Sequence, residues 1–383
     1  MNNSSTNTQQ SAGSQTAFAD TYHGKRVLLT GHTGFKGSWM AEWLLSLGAE
    51  VTGFSLPPPT TPSLFEQLGL ASRLNHIEGD VRDLGAVQAA VAAARPDFVF
   101  HLAAQPLVRL SYDQPVETYA VNVMGTVNVL EALRLAGRPC VVVSITTDKC
   151  YENKEWVHSY REEDPMGGYD PYSSSKGAAE LVISAYRRSY FSAPDSPVRL
   201  ASARAGNVIG GGDWALDRIV PDCIRALSRG ETIPVRNKIA TRPWQHVLEP
   251  LSGYLWLGAC LANPQLSPFN SQLTAAFNFG PALTSNRTVA ELVQEILKHW
   301  PGKWEDKSDP KAVHEAKLLN LATDKAHHFL GWKPAWNFEQ TLDHTAAWYR
   351  QIHRDSASAL PLTVRHIADY TASAKSQAIV WAS

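Results

Sequence analysis

Tyr172 and Lys176 are the residues of this sequence whose types and spacing most directly allow acid–base chemistry. They lie in the run YSSSK, and Asp170 with Pro171 before it predicts the start of a helix that extends to about Phe191. Side chains one helical turn apart project from the same face. A phenol has an unperturbed pKa of about 10, and we expect the neighbouring ammonium to lower the pKa of Tyr172. Such a pair can take a proton from a hydroxyl group, although an ordinary amphipathic helix start has the same pattern.

A second reactive run, Thr147-Asp148-Lys149, directly follows a predicted buried strand. Ligands in open α/β sheets bind at the carboxyl ends of the strands. Oxidation of an alcohol needs only the threonine hydroxyl together with Tyr172 and Lys176. The additional acid and amine therefore suggest a second step, such as proton abstraction beside a carbonyl followed by loss of water. The alternative is a polar loop in which Asp148 and Lys149 form a solvated pair.

A glycine-rich turn, GHTGFKG, lies between the first predicted strand and the first long predicted helix. Glycine allows a tight turn and the close approach of a pyrophosphate, and the helix N-terminus supplies amides and a partial positive charge. The alternative is a glycine-rich turn without a ligand. The position after the first strand favours dinucleotide binding, and the predicted contacts come from Gly31, Thr33, Gly34, Phe35 and Gly37.

The ends of the next two strands give less information about the cofactor. Ser55 and Leu56 stand where an acidic residue would select NAD, and no arginine lies nearby to accept a 2′-phosphate, so the residues alone do not choose between NAD and NADP. Asp80 follows the third strand, with Val81 after it. Asp80 can accept a hydrogen bond from an adenine amino group or cap the next helix.

Two further cofactor predictions lie around the fourth strand. Leu102, Ala103 and Ala104 end this strand, and the small residues there allow a cofactor to lie flat against the backbone. The alternative is close packing of a helix. Asn122 falls within a helix predicted over about 116–136, which is an unfavourable place for asparagine. It either supports the active-site backbone through a buried hydrogen bond or lies on the surface.

Candidate substrate residues follow in the second half of the chain. Asn207 can donate to a phosphate or hold a bound sugar. Arg236 and Arg242 can clamp a diphosphate by bidentate contacts, or form surface ion pairs. Trp214 can stack on a base, although core packing is the favoured role for it. These residues predict a ligand that carries phosphate.

The order of the predicted elements indicates the fold that positions these residues. Strands alternate with helices until about residue 205, which predicts a parallel sheet covered on both faces. We predict an α/β fold in which a Rossmann-type doubly wound parallel sheet spans 21–205. A smaller mixed substrate-binding lobe spans 206–353, with some segments returning to the sheet. Residues 1–20 are predicted to be a disordered leader, and 354–383 form a C-terminal tail for which we predict no element.

Composition limits the classes of partner. The 383 residues carry 35 basic and 36 acidic side chains without a basic block, which argues against nucleic acid. The longest apolar run is too short to span a bilayer, and the polar N-terminus lacks the pattern of a signal peptide. The four cysteines form no CxxC pair, so we predict no metal site and expect a reducing, cytoplasmic environment.

Several passages together resemble the nucleotide-sugar dehydratase branch of the extended short-chain dehydrogenase/reductase family. The resemblance spans about 24–353 and leaves out the leader and the tail. It is specific because TTDKCYENKEW and GNVIGGGDW are typical of this branch. The matching passages are TGHTGFKGSW, TTPSLFE, GDVRD, HLAAQPLVR, TTDKCYENKEW, DPMGGYDPYSSSK, RAGNVIGGGDWA and RPWQHVLEPL.

The resemblance implies a tightly held NAD, a nucleotide-sugar substrate (CDP-glucose) and a 4-keto-6-deoxy sugar as product. Tyr172 then takes the proton of the sugar 4-hydroxyl, Thr147 hydrogen-bonds the same oxygen, and Lys176 supports Tyr172 and the cofactor ribose. Gln105 and Arg109 join the predicted substrate residues through the HLAAQPLVR passage. The family also pairs subunits through two long helices each, so we expect a homodimer or a dimer of dimers.

The chain departs from part of this family at Lys149, where related dTDP-glucose dehydratases place the glutamate that removes the carbon-5 proton. Lys149 can replace it only as a neutral amine, which burial or a neighbouring cation would favour. Asp148 would oppose this unless it is itself protonated and delivers the proton that releases water. The hypothesis is that the two side chains titrate as a unit.

Overall fold

The structure, a computed structural model, describes residues 17–308 and 318–383, and seven of the strands in these residues form one parallel sheet. The strands are β1 Arg26–Thr30, β2 Glu50–Ser55, β3 Asn75–Glu78, β4 Phe98–His101, β5 Cys140–Ile145, β6 Val198–Ala205, β7 Val208–Ile209, β8 Ile233–Val235, β9 Thr241–Pro243, β10 Gln245–His246, β11 Ala276–Phe279, β12 Asn286–Thr288 and β13 Trp304–Asp306. The sheet order is β11-β6-β5-β4-β1-β2-β3. The chain direction across the sheet reverses between β1 and β4, which is where Rossmann-type folds bind ligands.

Helices cover both faces of this sheet, as predicted. One face packs a core that includes Trp39, Trp43 and Leu255, and the other a core that includes Val91, Val129 and Ile183. The helices are α1 Phe35–Ser46, α2 Leu64–Gln67, α3 Leu84–Ala94, α4 Val108–Asp113, α5 Pro115–Tyr119, α6 Gly125–Ala136, α7 Pro171–Ser189, α8 Ile219–Ser228, α9 Leu248–Ala262, α10 Val289–His299, α11 Asp324–Leu330, α12 Phe338–Arg354 and α13 Ala359–Ser376.

Helix α7 begins where the sequence predicts it. The Asp170 side chain accepts a hydrogen bond from the Ser173 amide (2.9 Å), and Pro171 occupies the first turn. The helix predicted over 116–136 is instead two α-helices joined by a π-helical turn at Ala120–Met124. Such turns insert an extra residue and occur often at functional sites. Here the turn contains Asn122.

The second half of the chain divides between the sheet and a smaller lobe. β11 pairs with β6 and is the edge strand of the main sheet. The other short strands pair as β7 with β10, β8 with β13 and β9 with β12. These pairs and α8 carry the loops that reach the carboxyl edge of the main sheet.

The two ends of the described chain differ from the sequence-based expectations. Residues 1–16 lie outside the described residues, but Ala17–Asp20 forms a turn with left-handed backbone at Phe18, Ala19 and Asp20, and Phe18 is buried. Phe18 stacks on Trp381 at a ring distance of 4.9 Å. The tail forms helix α13, which contacts α1 and α12. The last residues of the predicted leader therefore belong to the folded protein, and they pack against the tail.

Candidate active site

The glycine turn between β1 and α1 forms a cradle in which side chains would not fit. Gly31 has a φ of +77°, and a Cβ there would lie 2.7 Å from the Ala103 amide nitrogen. A Cβ on Gly37 would collide with the carbonyl oxygen of Gly31. Gly34 is the N-cap of α1 without a side-chain cap, so the first amides of the helix stay available. A pyrophosphate fits this arrangement, because open amides and a helix dipole favour an anion.

Two residues predicted to contact the cofactor in this turn also hold the turn in place. The Thr33 hydroxyl bonds the Ser55 hydroxyl (2.8 Å) and the Leu56 carbonyl oxygen (2.9 Å), so it ties the turn to the end of β2. Phe35 is half-buried, and a Cβ on Gly210 would lie 3.3 Å from its ring. Thr33 and Phe35 both lie in the glycine turn, and their contact with a cofactor stays a prediction.

At the end of β3, the Asp80 carboxylate accepts hydrogen bonds from the backbone amide (2.9 Å) and the Nε (2.8 Å) of Arg82. The helix-cap alternative for Asp80 is wrong, because Asp83 caps α3. The Val81 side chain is buried, and its carbonyl oxygen accepts a bond from Asn128 (2.9 Å). Val81 therefore contributes backbone and packing here, while Asp80 keeps its carboxylate partly exposed.

Asn122 supports the backbone after β4, as one of the two alternatives predicted. Its Oδ1 accepts from the Gln105 amide (2.8 Å), and its Nδ2 donates to the Gln105 carbonyl oxygen (3.1 Å) and to Ser175 (2.8 Å). Asn122 is 1% exposed. It joins the loop that follows Leu102, Ala103 and Ala104 to the helix that carries Tyr172.

The predicted reactive residues come together at the carboxyl ends of β4 and β5. Thr147 and Asp148 follow β5, Tyr172 and Lys176 come from the first turns of α7, and all four are buried. The Thr147 hydroxyl donates to Asp148 Oδ1 (2.9 Å) and also hydrogen-bonds Tyr172. Lys149 is half-buried beside them.

The pKa of Tyr172 moves in the opposite direction from the prediction. Burial raises it, because the phenolate loses its hydration, and the hydrogen bond from Thr147 and the charge of Arg218 lower it only in part. Burial also lowers the pKa of Lys176 to about 8, against an opposing effect of Glu180. The sequence-based argument counted the neighbouring charge and neglected desolvation.

Asp148 behaves as a buried acid. Burial raises its pKa above the usual value, and the charge of Lys149 and the hydrogen bond from Thr147 oppose this only in part. Its Oδ2 has no hydrogen-bond partner within the described chain. A Cβ on Gly206 would lie 2.8 Å from this oxygen, so glycine leaves the space beside it open. The arrangement can hold and release a proton at Asp148 Oδ2.

Three of the predicted substrate residues, Gln105, Arg109 and Arg236, are bound to neighbouring protein groups. The Gln105 side chain bonds the Leu107 backbone and Thr118, so it stabilises its own loop. Arg109 and Arg236 both pair with Asp217. The structure thus brings Arg109 and Arg236 together through one carboxylate, and for Arg236 this ion pair is the alternative to the predicted diphosphate clamp with Arg242.

Three other substrate candidates lie deeper. Asn207 is half-buried just after β6, and Arg242 is buried on β9 with a charge that lowers the pKa of Asp148. Trp214 donates to Gln67 (3.0 Å) and packs edge-on against Tyr349 at 5.2 Å. These contacts agree with the core role favoured for Trp214.

Sequence reasoning missed two cations of the site. Burial lowers the pKa of Lys36 to about 7, with contributions from the charges of Arg218 and Lys176. Arg218 pairs with Asp213 (2.8 Å) and lowers the pKa of Tyr172. The position of Lys36 inside the glycine turn could have identified it as a site residue from the sequence. Arg218 carried none, because only the folding of the lobe brings it to α7.

Comparison with known proteins finds nucleotide-sugar 4,6-dehydratases that match most of this chain. The sequence profile described as GDP-mannose 4,6 dehydratase matches residues 28–345. A CDP-glucose 4,6-dehydratase from Salmonella typhimurium is 47% identical over 356 residues, which cover 91% of this chain and 97% of that protein. A dTDP-glucose 4,6-dehydratase from Streptomyces antibioticus is 29% identical, covering 85% and 92%.

Solved structures agree with the fold. The dTDP-glucose 4,6-dehydratase of Streptomyces venezuelae, solved with NAD bound, superposes with a TM-score of 0.72 at 24% identity, covering 88% of this chain and 99% of that one. Separately, no helix within 17–308 or 318–383 has the length and apolar content needed to cross a bilayer.

Proposed function

This chain belongs to the nucleotide-sugar 4,6-dehydratase family, and we propose that it is a hydro-lyase that converts CDP-glucose to CDP-4-keto-6-deoxyglucose. The observation that carries the proposal is the convergence of Thr147, Asp148, Tyr172 and Lys176 beside the glycine turn. An oxidation alone needs three of these residues. The buried acid Asp148 is the group that an elimination adds.

NAD fits the glycine turn, because Gly31 and Gly37 let the turn pack closely on Ala103 and on itself. The first amides of α1 then stay open to an anion. When bound, NAD supplies the redox chemistry by taking a hydride from carbon 4 of the sugar and returning it to carbon 6. Gly34 and the first amides of α1 would hold its pyrophosphate, and Lys176 would hold its ribose.

Oxidation begins when Tyr172 takes the proton of the 4-hydroxyl, while Thr147 hydrogen-bonds the same oxygen. Burial works against the phenolate of Tyr172, so its formation depends on the nearby cations. Arg218 lowers the pKa of Tyr172, and we assign the same role to the ammonium of Lys176 one turn along α7. The resulting 4-ketone makes the hydrogen on carbon 5 acidic.

Elimination then removes that hydrogen and the 6-hydroxyl as water. Lys149 accepts the carbon-5 proton, and Asp148, whose pKa is raised by burial, donates a proton to the departing hydroxyl. Lys149 returns a proton to carbon 5 when carbon 6 is reduced. Replacement of Lys149 by Met tests the first role through solvent deuterium exchange at carbon 5. We expect exchange to be lost, and unchanged exchange would remove Lys149 from this role.

The substrate class is tested with a panel of CDP-, dTDP-, GDP- and UDP-glucose, with product analysis and the alkaline absorbance of a 4-keto sugar. We expect product from CDP-glucose. Product from another nucleotide alone would indicate a dehydratase of different base specificity. A 4-epimer as product would indicate an epimerase, and no reaction with any of them would favour a non-catalytic NAD-binding regulator.

We also propose that the chain forms a homodimer, or a dimer of dimers, through α5–α6 and α7. Both helical segments expose large apolar side chains in the single chain, which a four-helix interface would cover: Val116, Tyr119, Met124, Leu135, Leu181 and Tyr190. Leu181→Arg should shift the mass from dimer to monomer in light scattering. A wild-type monomer at micromolar concentration would contradict this part.

The cellular setting follows as a further part of the proposal. All four cysteines are buried and free, which suits a reducing compartment, and we place the enzyme in the cytoplasm. Its product class suits the synthesis of deoxysugars for a polysaccharide. Fractionation with an antibody against the chain tests the compartment.

A further inference from the structure

A buried ion pair lies directly below the reactive residues and has no role in the chemistry described so far. Glu180 follows Lys176 by one turn of α7 and is 4% exposed. Its carboxylate accepts hydrogen bonds from Thr146 Oγ1 (2.5 Å), Ser202 Oγ (2.9 Å) and Arg204 Nη2 (2.8 Å). One side chain thus joins α7, the end of β5 and the strand β6.

The arginine of this pair is held as firmly as the glutamate. Arg204 Nη1 donates to the Tyr151 hydroxyl (2.8 Å) and to the Glu162 carbonyl oxygen (2.9 Å), and its guanidinium lies 5.1 Å from the centre of the Tyr151 ring. Buried charges stay ionised when they are paired and hydrogen-bonded. The pKa of Glu180 accordingly lies below its usual value despite burial, mainly because of Arg204.

A permanent negative charge at this position matters for its neighbour on the helix. Lys176 is 6% exposed, and burial alone favours its neutral amine. Among the charges that oppose this, Glu180 contributes most. The bond from Thr146 to Glu180 also fixes the residue that precedes Thr147 and Asp148.

We propose that Glu180 is a positioning residue of the active site: its carboxylate is the counter-charge of the Lys176 ammonium and the anchor of the segment that carries Thr147 and Asp148. The inference rests on the proposed function for the roles of these three residues. It also explains why Glu180 and Arg204 are buried as an ion pair, since such pairs seldom make a protein more stable than apolar side chains in the same place would.

The test compares Glu180→Gln with Glu162→Gln, which is a matched control. Glu162 is a buried carboxylate of the same network, bonded to the Asn278 amide (2.8 Å), but it is not among the charges that act on Lys176. The dissociation constant of NAD and kcat are measured between pH 6 and 9. Because affinity and turnover need the protonated Lys176, both should weaken as pH rises through its pKa. Cys150, His101 and Lys36 also face Lys176. Lys36 has a pKa of about 7, but Glu180 is not among the charges that act on it, so Glu180→Gln should move only the part of the pH dependence that belongs to Lys176.

NAD affinity plotted against pH should fall on the alkaline side, and we call this fall the alkaline limb. We expect Glu180→Gln to move the alkaline limb to lower pH by about one unit. At a pH above the limbs of both proteins, the variant should then bind NAD about tenfold more weakly than wild type. Glu162→Gln should leave the limb in place, and Glu180→Asp should restore it in part. The double variant Glu180→Gln/Arg204→Met removes the unpaired buried cation, and it replaces the single variant if that one does not fold. An unmoved limb in either folded variant overturns the proposal.

The NAD titration also separates this inference from the proposed function. If the chain binds NAD but does not dehydrate CDP-glucose, the function fails while the pH dependence of NAD binding still reports on Glu180. If CDP-glucose is dehydrated and the limb does not move, only the role of Glu180 is wrong.

Discussion

Asp148 and Glu249 are both buried carboxyl groups, yet the structure uses them in opposite ways. Burial raises the pKa of each, to about 7 for Glu249. Glu249 accepts hydrogen bonds from the amides of Ala335 and Trp336 and from the Tyr370 hydroxyl, so both of its oxygens are engaged. Asp148 has one oxygen bonded to Thr147 and the other without a partner among the described residues.

The difference shows that a raised pKa does not by itself identify a functional acid. Glu249 lies at the start of α9 and fastens helix α13 to the body of the protein through Tyr370. Asp148 lies beside Tyr172 with a lone pair left for a substrate. Perturbed pKa values occur in both structural networks and active sites, and unused hydrogen-bonding capacity distinguishes the two here.

The largest expected effect comes from Asp148→Asn. We expect kcat for dehydration to fall by about 10²–10⁴, because the proton for the departing hydroxyl is lost. The melting temperature should change little, since the free oxygen of Asp148 makes no bond that the amide would lose. If the variant unfolds or keeps full activity, Asp148 has a structural role like that of Glu249, and the proposed difference between the two carboxyl groups is wrong.

Trp381→Ala tests the C-terminal anchor. Trp381 is fully buried and stacks on Phe18 (4.9 Å) and Tyr370 (5.6 Å), so its truncation should cost about 3–5 kcal/mol of stability. At a temperature where the variant is folded, kcat should stay within about twofold of wild type. Denaturant unfolding and assays at low temperature measure the two quantities, and a large loss of kcat in the folded variant would show that the anchor acts on the site.

Glu249→Gln gives a smaller loss of stability, about 1–3 kcal/mol, because the amide group cannot accept from all three donors. Turnover of the folded variant should match wild type. In the same assays, Asp148→Asn should give the opposite result, with turnover reduced and stability nearly unchanged. Loss of turnover without loss of stability in Glu249→Gln would contradict the structural role.

The smallest effect concerns acid stability. Burial lowers the pKa of His366 to about 3, against about 6.5 when unfolded, so its contribution to stability is intact above pH 6.5 and is lost progressively as pH falls towards 3. His246 and His344 pack against it, and their pKa values are also lowered. The charge of Arg365 lowers the pKa of His366 further, whereas the pKa of Glu249 is raised.

His366→Gln should therefore lose about 1 kcal/mol less stability than wild type between pH 7.5 and 5.5. The measurement is urea unfolding at the two pH values, in which the effect of Glu249 cancels between the variants. His328→Gln, at an exposed histidine, is the control and should behave as wild type. Equal losses for His366→Gln and wild type would be inconsistent with a buried neutral His366.

Local sequence patterns predicted the features that depend on residues close to one another in the chain. Asp170 and Pro171 fix the start of α7, and alternating strands and helices fix the parallel sheet. The π-helical turn around Asn122 was not predictable, because the partners that stabilise it, Gln105 and Ser175, are brought together by tertiary contacts. Helix α13 was not predicted, because its apolar residues form no clear helical pattern in the sequence. The helix is instead stabilised by its contacts with α1 and α12.

The candidate site shows the same division. Types and spacing pointed to Thr147, Asp148, Tyr172 and Lys176, but the direction of the Tyr172 pKa depends on burial, which no spacing reveals. The role of Arg218 depends on how the lobe folds over the sheet, and it was equally invisible in the sequence.

The most direct test of the account follows one hydrogen through the reaction. CDP-glucose that carries deuterium at carbon 4 is incubated with the NAD-loaded enzyme in ordinary water, and the product is analysed by NMR. The account predicts a 4-keto-6-deoxy sugar with the deuterium at carbon 6 and a solvent proton at carbon 5, and no product from Tyr172→Phe. Deuterium retained at carbon 4, or full turnover by Tyr172→Phe, would contradict it.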